Sequence, residues 1–253
     1  RDIKKLLAYS TVENIGIITI GLGLGILGMS YNKPMITLMG FGGSLLHILN
    51  HSLFKSMLFF CAGSVLHGTK TRDMEQLGGL FKSMPWTGTT FLIGSCAISG
   101  LPPLNGFISE FLIYQGAFYS LNSNSKFLTL LGIIIIVSLA IIGALALLTF
   151  TRAFGITFLG ALRNPKIEHI HESNPLMLYP MVILAGFCIL ISIGSPFVLK
   201  FLYPVIKDIS IISISLDETH FAPLNSLLWK VSVISAAFIL FILVILLLTN
   251  YLR

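Results

Sequence analysis

The chain of 253 residues is 55% hydrophobic and only 10% charged, with a formal net charge of +6 and a mean hydropathy of +0.91. A soluble domain carries about 25% charged residues, so this composition excludes an ordinary soluble enzyme and predicts a membrane protein. The positive charge then bears on orientation in the bilayer rather than on nucleic-acid binding.

The first residue is Arg1 rather than Met, and the stretch "RDIKKLLAYS" runs directly into an apolar segment. That segment is too long for a signal peptide and lacks a small-residue cleavage site. We expect a fragment, or a chain numbered from within a longer one.

Six apolar runs have the length of membrane spans, since a crossing helix needs about 20 mostly apolar residues. They lie at about 6–29, 36–66, 88–119, 128–158, 176–199 and 229–250. We therefore predict an all-α polytopic membrane protein with about six transmembrane helices. The long loop between the last two runs contains "ISIISIS", residues 209–215, whose β-branched alternation favours an extracytoplasmic excursion, although it could also lie flat on the bilayer.

Three titratable residues at four-residue spacing lie in the second run, in "HILNHSLFKSMLFF": His47, His51 and Lys55. On a helix they share one slowly drifting stripe, with successive residues about 6 Å apart along the axis. One water between each pair would join them, and histidine exchanges protons near physiological pH. We interpret the stripe as a hydrated proton path; a bis-histidine heme is disfavoured because its ligands come from opposing helices.

The third run contains "SGLPPLNG", residues 99–106, which predicts a broken helix. Pro102 and Pro103 cannot donate backbone hydrogen bonds, and Gly100 and Gly106 loosen the ends of the turn. A break at that depth survives only where it is buried in protein or lines a wet cavity. Discontinuous helices of this kind form ion sites in transporters.

Glu110 follows the break in "GFISEFLIY". A carboxylate in the bilayer core costs several kcal/mol unless it is paired, hydrated or protonated. Glu110 could form an ion pair with a lysine, or it could carry a proton. The adjacent helix break favours the second role.

Other ionisable residues stand nearer the ends of the runs. Glu13 is a member of the path or an interhelical hydrogen-bond partner, and Lys4 or Lys5 either joins the path or snorkels to the interface. Arg152 is expected to anchor the chain at the interface. The tract "EHIHE", with its two histidines His169 and His171, resembles a metal site, but a solvated loop is the simpler interpretation.

Positive residues of alternate loops fall on two sides of the bilayer. One side holds Arg1, Lys4, Lys5, Lys70, Arg72, Lys82, Arg163, Lys166 and Arg253; the other holds Lys33, Lys126, Lys200, Lys207 and Lys230. The excess on the first side predicts that the N-terminal end is cytoplasmic.

The three cysteines, Cys61, Cys96 and Cys188, lie in apolar runs without a C-x-x-C pair or flanking histidines. This pattern favours buried small side chains over a zinc or iron–sulfur site. We expect no cofactor in this chain.

Three stretches carry a family resemblance: "DIKKLLAYSTVENIG", "HILNHSLFKSMLFFCAGSVLHGTKTRDMEQLGGL" and "GLPPLNGFISEFLIY". They resemble the antiporter-like membrane subunits of respiratory complex I, Mrp-type Na⁺/H⁺ antiporters, hydrogenase 4 and formate hydrogenlyase. The resemblance is dense over residues 1–120, and the loop "NPKIEHIHE" is most similar to the hydrogenase-4 B-type subunit.

The resemblance implies a role for each matching residue. In that family two inverted five-helix repeats each contain a broken helix, and lysines, histidines and a glutamate carry protons. Glu110 matches the terminal acidic residue of the second broken helix. His47, His51 and Lys55 match the central relay helix, and Lys4 matches the lysine of the pattern "D-x-K-[RK]-x-x-AYS".

The resemblance also implies the organisation of the chain and its setting. Glu13 occupies a variable polar place in the family, and the first repeat's glutamate–lysine pair has no equivalent here. Residues 1–158 then form the second-repeat part of a proton-conducting domain, and 159–253 are trailing helices, so the chain is expected to be a C-terminal fragment.

The function implied is a proton-translocating, non-redox subunit of a redox-driven complex in a prokaryotic cytoplasmic membrane. Iron–sulfur, Ni–Fe or flavin groups would belong to partner subunits only, and the partners would be other membrane subunits and peripheral redox subunits. A component of an Mrp-type Na⁺/H⁺ antiporter is the alternative. A scaffold whose path has decayed is a third reading.

Overall fold

The computed structural model describes residues 1–165, 167, 170–210 and 216–251. Within these ranges the chain forms helices and no β-strand. The helices are α1 (Ile3–Ser30), α2 (Pro34–Thr69), α3 (Pro85–Ile98), α4 (Asn105–Leu121), α5 (Lys126–Phe158), α6 (Pro175–Ile193), α7 (Ser195–Ser210) and α8 (Glu218–Tyr251). Two short 3₁₀ turns, Met74–Gln76 and Leu80–Lys82, lie between α2 and α3.

Five of the helices, α1, α2, α5, α6 and α8, are long and apolar enough to cross a membrane. The predicted third span is divided into α3 and α4, so the predicted broken helix is confirmed. The protein is an all-α polytopic membrane protein. Helix α3 begins at Pro85, earlier than the apolar run suggested, because proline fits the first position of a helix, whose N–H has no partner in the helix.

The end of the fifth apolar run differs from its predicted bounds. Helix α6 ends at Ile193, before the predicted end at 199, and residues 195–210 form a separate helix, α7. Leu199 and Ile206 are buried, whereas Phe201 and Lys207 are exposed. This spacing suits a helix with one buried face. Residues 211–215 of the alternating tract lie outside the described residues.

Helix α2 is the centre of the bundle and packs against α1, α3, α4, α6 and α7. Its contact with α1 is close because glycines meet across it. A Cβ atom added at Gly40 would overlap the backbone nitrogen of Gly25. Small residues allow this approach of two membrane helices, and the approach brings polar groups of α1 within reach of α2.

One end of the bundle gathers the loops that the charge pattern assigned to one side. The backbone N–H of Ile3 donates to the carbonyl of Arg72 at 3.1 Å, and that of Gly79 donates to the carbonyl of Leu159 at 2.8 Å. Among the described residues, the grouping of the N-terminus with these two loops is therefore confirmed. Lys166 and Arg253, which were assigned to the same side, lie outside the described residues.

Candidate functional site

The break between α3 and α4 brings a carboxyl against the backbone. Gly100 has a φ of +62°, a conformation that favours glycine. A Cβ atom there would lie 2.6 Å from Oε2 of Glu110, and one at Gly106 would overlap the carbonyl of Ala97. The break is therefore packed tightly, with the carboxyl of Glu110 lying on the glycine turn.

Glu110 is 9% exposed and faces the interior of the bundle. Its second half-helix, α4, packs against α2, α5, α6 and α1, so the carboxyl lies within protein rather than against acyl chains. Glu13 of α1 is close enough to interact with it electrostatically.

His47 is fully buried and is held on both sides of its ring. Nδ1 lies 2.9 Å from Oγ of Ser109 on α4, and Nε2 lies 3.1 Å from Oδ1 of Asn14 on α1. The amide of Asn14 is oriented by its Nδ2, which donates to the carbonyl of Ser10 at 2.7 Å. His47 therefore bridges three helices.

These partners accommodate two protonation states of His47. Because Oδ1 of Asn14 only accepts, Nε2 carries a proton in both states. In the neutral ring Nδ1 accepts the hydroxyl proton of Ser109. In the charged ring Nδ1 donates to that hydroxyl, whose proton then turns to the carbonyl of Gly106 at 2.9 Å. No heavy atom needs to move between the two arrangements.

Two buried asparagines extend these contacts towards the break. Nδ2 of Asn50 donates to the carbonyl of Asn105 at 2.8 Å and to Oγ of Ser109 at 3.0 Å. Nδ2 of Asn105 donates to Oδ1 of Asn50 at 3.1 Å. The start of α4 is therefore fixed to α2 by side-chain amides.

Lys55 continues the contacts in the other direction. Its Nζ donates to Oγ of Ser10 at 2.5 Å, and the hydroxyl of Ser10 donates to the carbonyl of Leu7 at 3.1 Å. Glu13 interacts electrostatically with Lys55 without forming an ion pair within 4.0 Å. The ammonium group also lies 5.9 Å from the centre of the Phe59 ring.

A set of hydrogen-bonded residues runs from the lysine on α2 to the break, in which Ser10 accepts from Lys55 through its hydroxyl and from Asn14 through its backbone carbonyl. We name it the polar network, and its members are Lys55, Ser10, Asn14, His47, Ser109, Asn50 and Asn105. It passes from α2 to α1, back to α2 and on to α4. Glu110 follows Ser109 in the chain but does not share these bonds.

His51 differs from its neighbours on the stripe. Its Nε2 is buried and has no hydrogen-bond partner among the described residues. The ring meets Phe54 edge-on at 5.7 Å between centroids. His51 and Lys55 also line an open groove of about 520 Å³ together with Ser52, Ser56, Phe59 and Phe60. The stripe therefore separates, since His47 points into the bundle and His51 borders the groove.

The remaining candidates lie near the ends of the bundle. Lys4 is half-buried in the first turn of α1, where Asp2 accepts from its backbone N–H. Arg152 is 72% exposed and lies 3.6 Å from the carboxylate of Glu75. The ring of His171 meets that of His67 at 5.8 Å, whereas Glu168 and His169 of the same tract lie outside the described residues.

Neither a metal cluster nor a disulfide occurs in the described part of the chain. Cys61 and Cys188 are buried, as expected, whereas Cys96 is only partly buried.

The sequence analysis missed four members of the polar network, including both partners of His47. Ser10, Asn14, Asn105 and Ser109 are small polar residues of a kind that is common in membrane helices. One signal was available in the spacing. Ser10 and Asn14 on α1 are four residues apart, as are Asn105 and Ser109 on α4, so each of these helices presents two polar groups on one face.

The sequence of this chain is similar to those of two bacterial proteins. It is 45% identical over 195 residues to hydrogenase-4 component B of Escherichia coli (strain K12), a match that covers 77% of this chain and 29% of the relative. It is 45% identical over 201 residues to formate hydrogenlyase subunit 3 of the same organism, covering 79% and 33%. The chain thus spans about a third of the length of these relatives, and the expected similarity to the hydrogenase-4 B-type subunit is confirmed.

The fold is similar to that of a solved structure. A chain of the membrane-bound sulfane sulfur reductase, an archaeal respiratory membrane complex, superposes with a TM-score of 0.65 at 25% identity, covering 80% of this chain and 30% of that one. The family described as "NADH:quinone oxidoreductase/Mrp antiporter, TM" matches residues 1–142. The chain belongs to this family of membrane proteins.

Proposed function

We propose that this chain is the proton-conducting part of a membrane subunit in a redox-driven complex. The observation that carries the proposal is His47, whose two buried nitrogens face partners that suit both the neutral and the charged ring. A buried histidine with that property can take up a proton at Nδ1 and later release it from the same atom. A purely structural histidine needs only one of these states.

The path would run from the N-terminal end of the bundle to the break. Lys4 and Glu13 lie on α1, Lys55 and His51 border the groove, and His47 connects to α4 through Ser109. Glu110 is the last member, where the broken helix opens the backbone. Water is needed wherever hydrogen bonds between side chains do not join these groups, and the open groove beside His51 supplies it.

The same placement supports the proposed division of the chain into residues 1–158 and 159–253. Residues 1–158 hold every proposed path residue and nearly coincide with the family match at 1–142. Residues 159–253 supply the trailing helices α6, α7 and α8, which support α2 without contributing a path residue.

The energy source would lie outside this chain. Hydrogenase-4 component B and formate hydrogenlyase subunit 3 are named as parts of redox enzymes, so we expect partner subunits to hold the iron–sulfur, Ni–Fe or flavin groups. The protein would reside in a prokaryotic cytoplasmic membrane with its N-terminal end inside. Partner membrane subunits and peripheral redox subunits would complete it.

An antiporter component driven by ion gradients is the second candidate. It is favoured by the family's inclusion of Mrp antiporters, and the same path residues would serve it. Proton uptake that follows an imposed Na⁺ gradient, without an electron donor, would assign this role instead.

The test replaces Glu110 by Gln in the full-length protein within its complex. We expect the complex to assemble and oxidise its electron donor, while acidification of inverted membrane vesicles falls to background, because the amide cannot take up a proton. Glu218→Gln, an exposed carboxylate at the start of α8, is the matched control and should pump normally. Pumping at the normal rate in Glu110→Gln would refute the proposal.

A further inference from the structure

The first half of the broken helix lacks a cap from its own sequence. Helix α3 begins with Pro85, and the preceding residue, Met84, provides no side-chain hydrogen bond to the helix. The first N–H groups of a helix have no partner within the helix. Something else must satisfy the N–H groups of Trp86 and Thr87.

Glu172, from the loop between α5 and α6, supplies that cap. Its Oε2 accepts from the backbone N–H groups of Trp86 at 2.9 Å and Thr87 at 3.2 Å. Its Oε1 accepts from the hydroxyl of Thr87 at 2.5 Å and from the backbone N–H of Ser173 at 3.3 Å. A carboxylate at a helix N-terminus is also stabilised by the helix dipole. A residue distant in sequence thus holds the end of α3.

The carboxylate orders a chain of hydroxyl groups that reaches the central helix. Oγ of Ser64 on α2 lies 2.7 Å from Oγ1 of Thr87 and 2.6 Å from Oγ of Ser173. Each hydroxyl has one proton. Because Thr87 donates to Glu172, Thr87 must accept from Ser64, and Ser64 must then accept from Ser173. The acceptor oxygens of Glu172 therefore fix the direction of every bond between the loop, α3 and α2.

The three hydroxyl groups belong to the interior of the bundle. Thr87 and Ser64 are fully buried and Ser173 is nearly so, so a broken link would leave a buried polar group unsatisfied. Such a group destabilises the fold. The arrangement is a latch between the loop and two helices, and we name it the Glu172 latch, formed by Glu172, Thr87, Ser64 and Ser173.

The opposite end of α3 is the site of the break. Thirteen residues separate Thr87 from Gly100, which corresponds to about 20 Å along a helix, and Gly100 touches the carboxyl of Glu110. Midway, a Cβ atom at Gly94 would lie 2.8 Å from the side chain of Leu58 on α2. Helix α3 therefore lies closely on α2 along its length.

We propose that Glu172 is a positioning residue that sets the place of Gly100 against Glu110 through α3. This inference rests on the proposed function, since it assigns a role in proton movement to a residue outside the path. It also gives a function to the end of the "EHIHE" tract, which the path does not use. A partner that lifts the loop would act on Glu110 across the length of α3.

The experiment uses the full-length protein in its complex and compares Glu172→Ala with Ser64→Ala. Two readouts are needed: hydrogen–deuterium exchange of the segment containing Trp86 and Thr87, and the pH profile of proton translocation. Glu75→Ala removes a carboxylate at the same end of the bundle that pairs with Arg152 rather than with α3, and it is the matched control.

In Glu172→Ala we expect exchange in this segment to be about tenfold faster and the pH profile to be displaced by about 0.5 unit or more. Ser64→Ala keeps the Glu172 cap on α3 but breaks the link from Thr87 to α2. The pH profile of proton translocation should therefore move, while hydrogen–deuterium exchange at Trp86 and Thr87 changes little. An assembled Glu172→Ala complex with an unchanged profile would overturn the inference. If that variant does not assemble, an unchanged profile in Ser64→Ala would overturn it equally.

The outcomes separate this inference from the proposed function. If Glu110→Gln loses pumping and Glu172→Ala has no effect, the proposed function is supported and the role of the Glu172 latch is refuted. If hydrogen–deuterium exchange is faster in Glu172→Ala but Glu110→Gln pumps normally, Glu172 is a structural cap only and the proposed function is refuted.

Discussion

His47 and Ser109 meet at 2.9 Å, and their contact joins the central helix α2 to the second half of the broken helix. The hydroxyl proton of Ser109 can turn from one acceptor to another without movement of any heavy atom. The hydroxyl donates either to His47 or to the carbonyl of Gly106. A movement of α4 therefore acts directly on the ring that we propose carries protons.

Replacement of Ser109 by Ala tests this relationship. Nδ1 of His47 would lose its partner, and the charged ring would lose an acceptor worth about 1.5–3 kcal/mol. We expect proton translocation to fall about tenfold or more, measured with a pH-sensitive dye in inverted vesicles. Ser120→Ala is the control, because Ser120 is equally buried on α4 but bonds only to the carbonyl of Ala117. Equal rates in the two variants would contradict the role of the hydroxyl.

Gly100→Ala tests the packing of the break against the carboxyl. The new Cβ atom would lie 2.6 Å from Oε2 of Glu110, so the carboxyl must move, and we expect translocation to be lost. The residue would also be strained at its φ of +62°, by about 1–2 kcal/mol.

Gly160→Ala separates the two effects. Gly160 has a φ of +77°, and a Cβ atom there would meet nothing within 4 Å. It should therefore lower stability by a similar amount and leave translocation unchanged. A loss of transport in Gly160→Ala as large as that in Gly100→Ala would show that strain alone is responsible.

Gly40→Val tests the close contact of α1 and α2. The valine side chain would overlap the backbone of Gly25, and overpacking of this kind destabilises by about 1–3 kcal/mol or more. We expect a lower thermal transition in detergent and loss of the contact between Asn14 and His47. Gly23→Val, where a Cβ atom meets nothing within 4 Å, should melt as the wild type does. Equal transitions would refute the packing account.

The orientation in the membrane can be tested with single cysteines at the two ends of the bundle. Ser83 and Asn124 are both exposed and lie in loops at opposite ends. With the N-terminal end cytoplasmic, a membrane-impermeant maleimide should label Asn124→Cys in intact cells and Ser83→Cys only after permeabilisation. The native cysteines would be replaced by Ala in both variants. The reverse pattern would invert the proposed topology.

The broken helix shows how far sequence reasoning reached. Two adjacent prolines between glycines stop a helix whatever surrounds them, because they lack N–H groups and clash with the preceding turn. The break at 99–104 was therefore predictable from residues close in sequence. That Glu110 lies on Gly100 was not, because this contact depends on how the two half-helices are placed in space.

Helix α7 shows where sequence reasoning failed. Leu199 and Ile206 are seven residues apart, a helical spacing, but the sequence analysis assigned residues 176–199 to a single apolar span, whereas α6 ends at Ile193. Leu199 and Ile206 both pack against Gly42 of α2, where the absence of a side chain leaves room for them. Tertiary packing decided the local structure there.

Membrane residence, the positions of most spans, the break and the stripe of His47, His51 and Lys55 were all determined by the sequence itself. Hydropathy and proline effects belong to each residue and its near neighbours, so they can be read without a fold. The tertiary structure alone decided that His47 has Asn14 and Ser109 as partners, that His51 stands apart, and that Glu172 caps α3. Hydrogen bonds require donor and acceptor within about 3 Å, and only the rotation and register of packed helices set such distances between residues far apart in the chain.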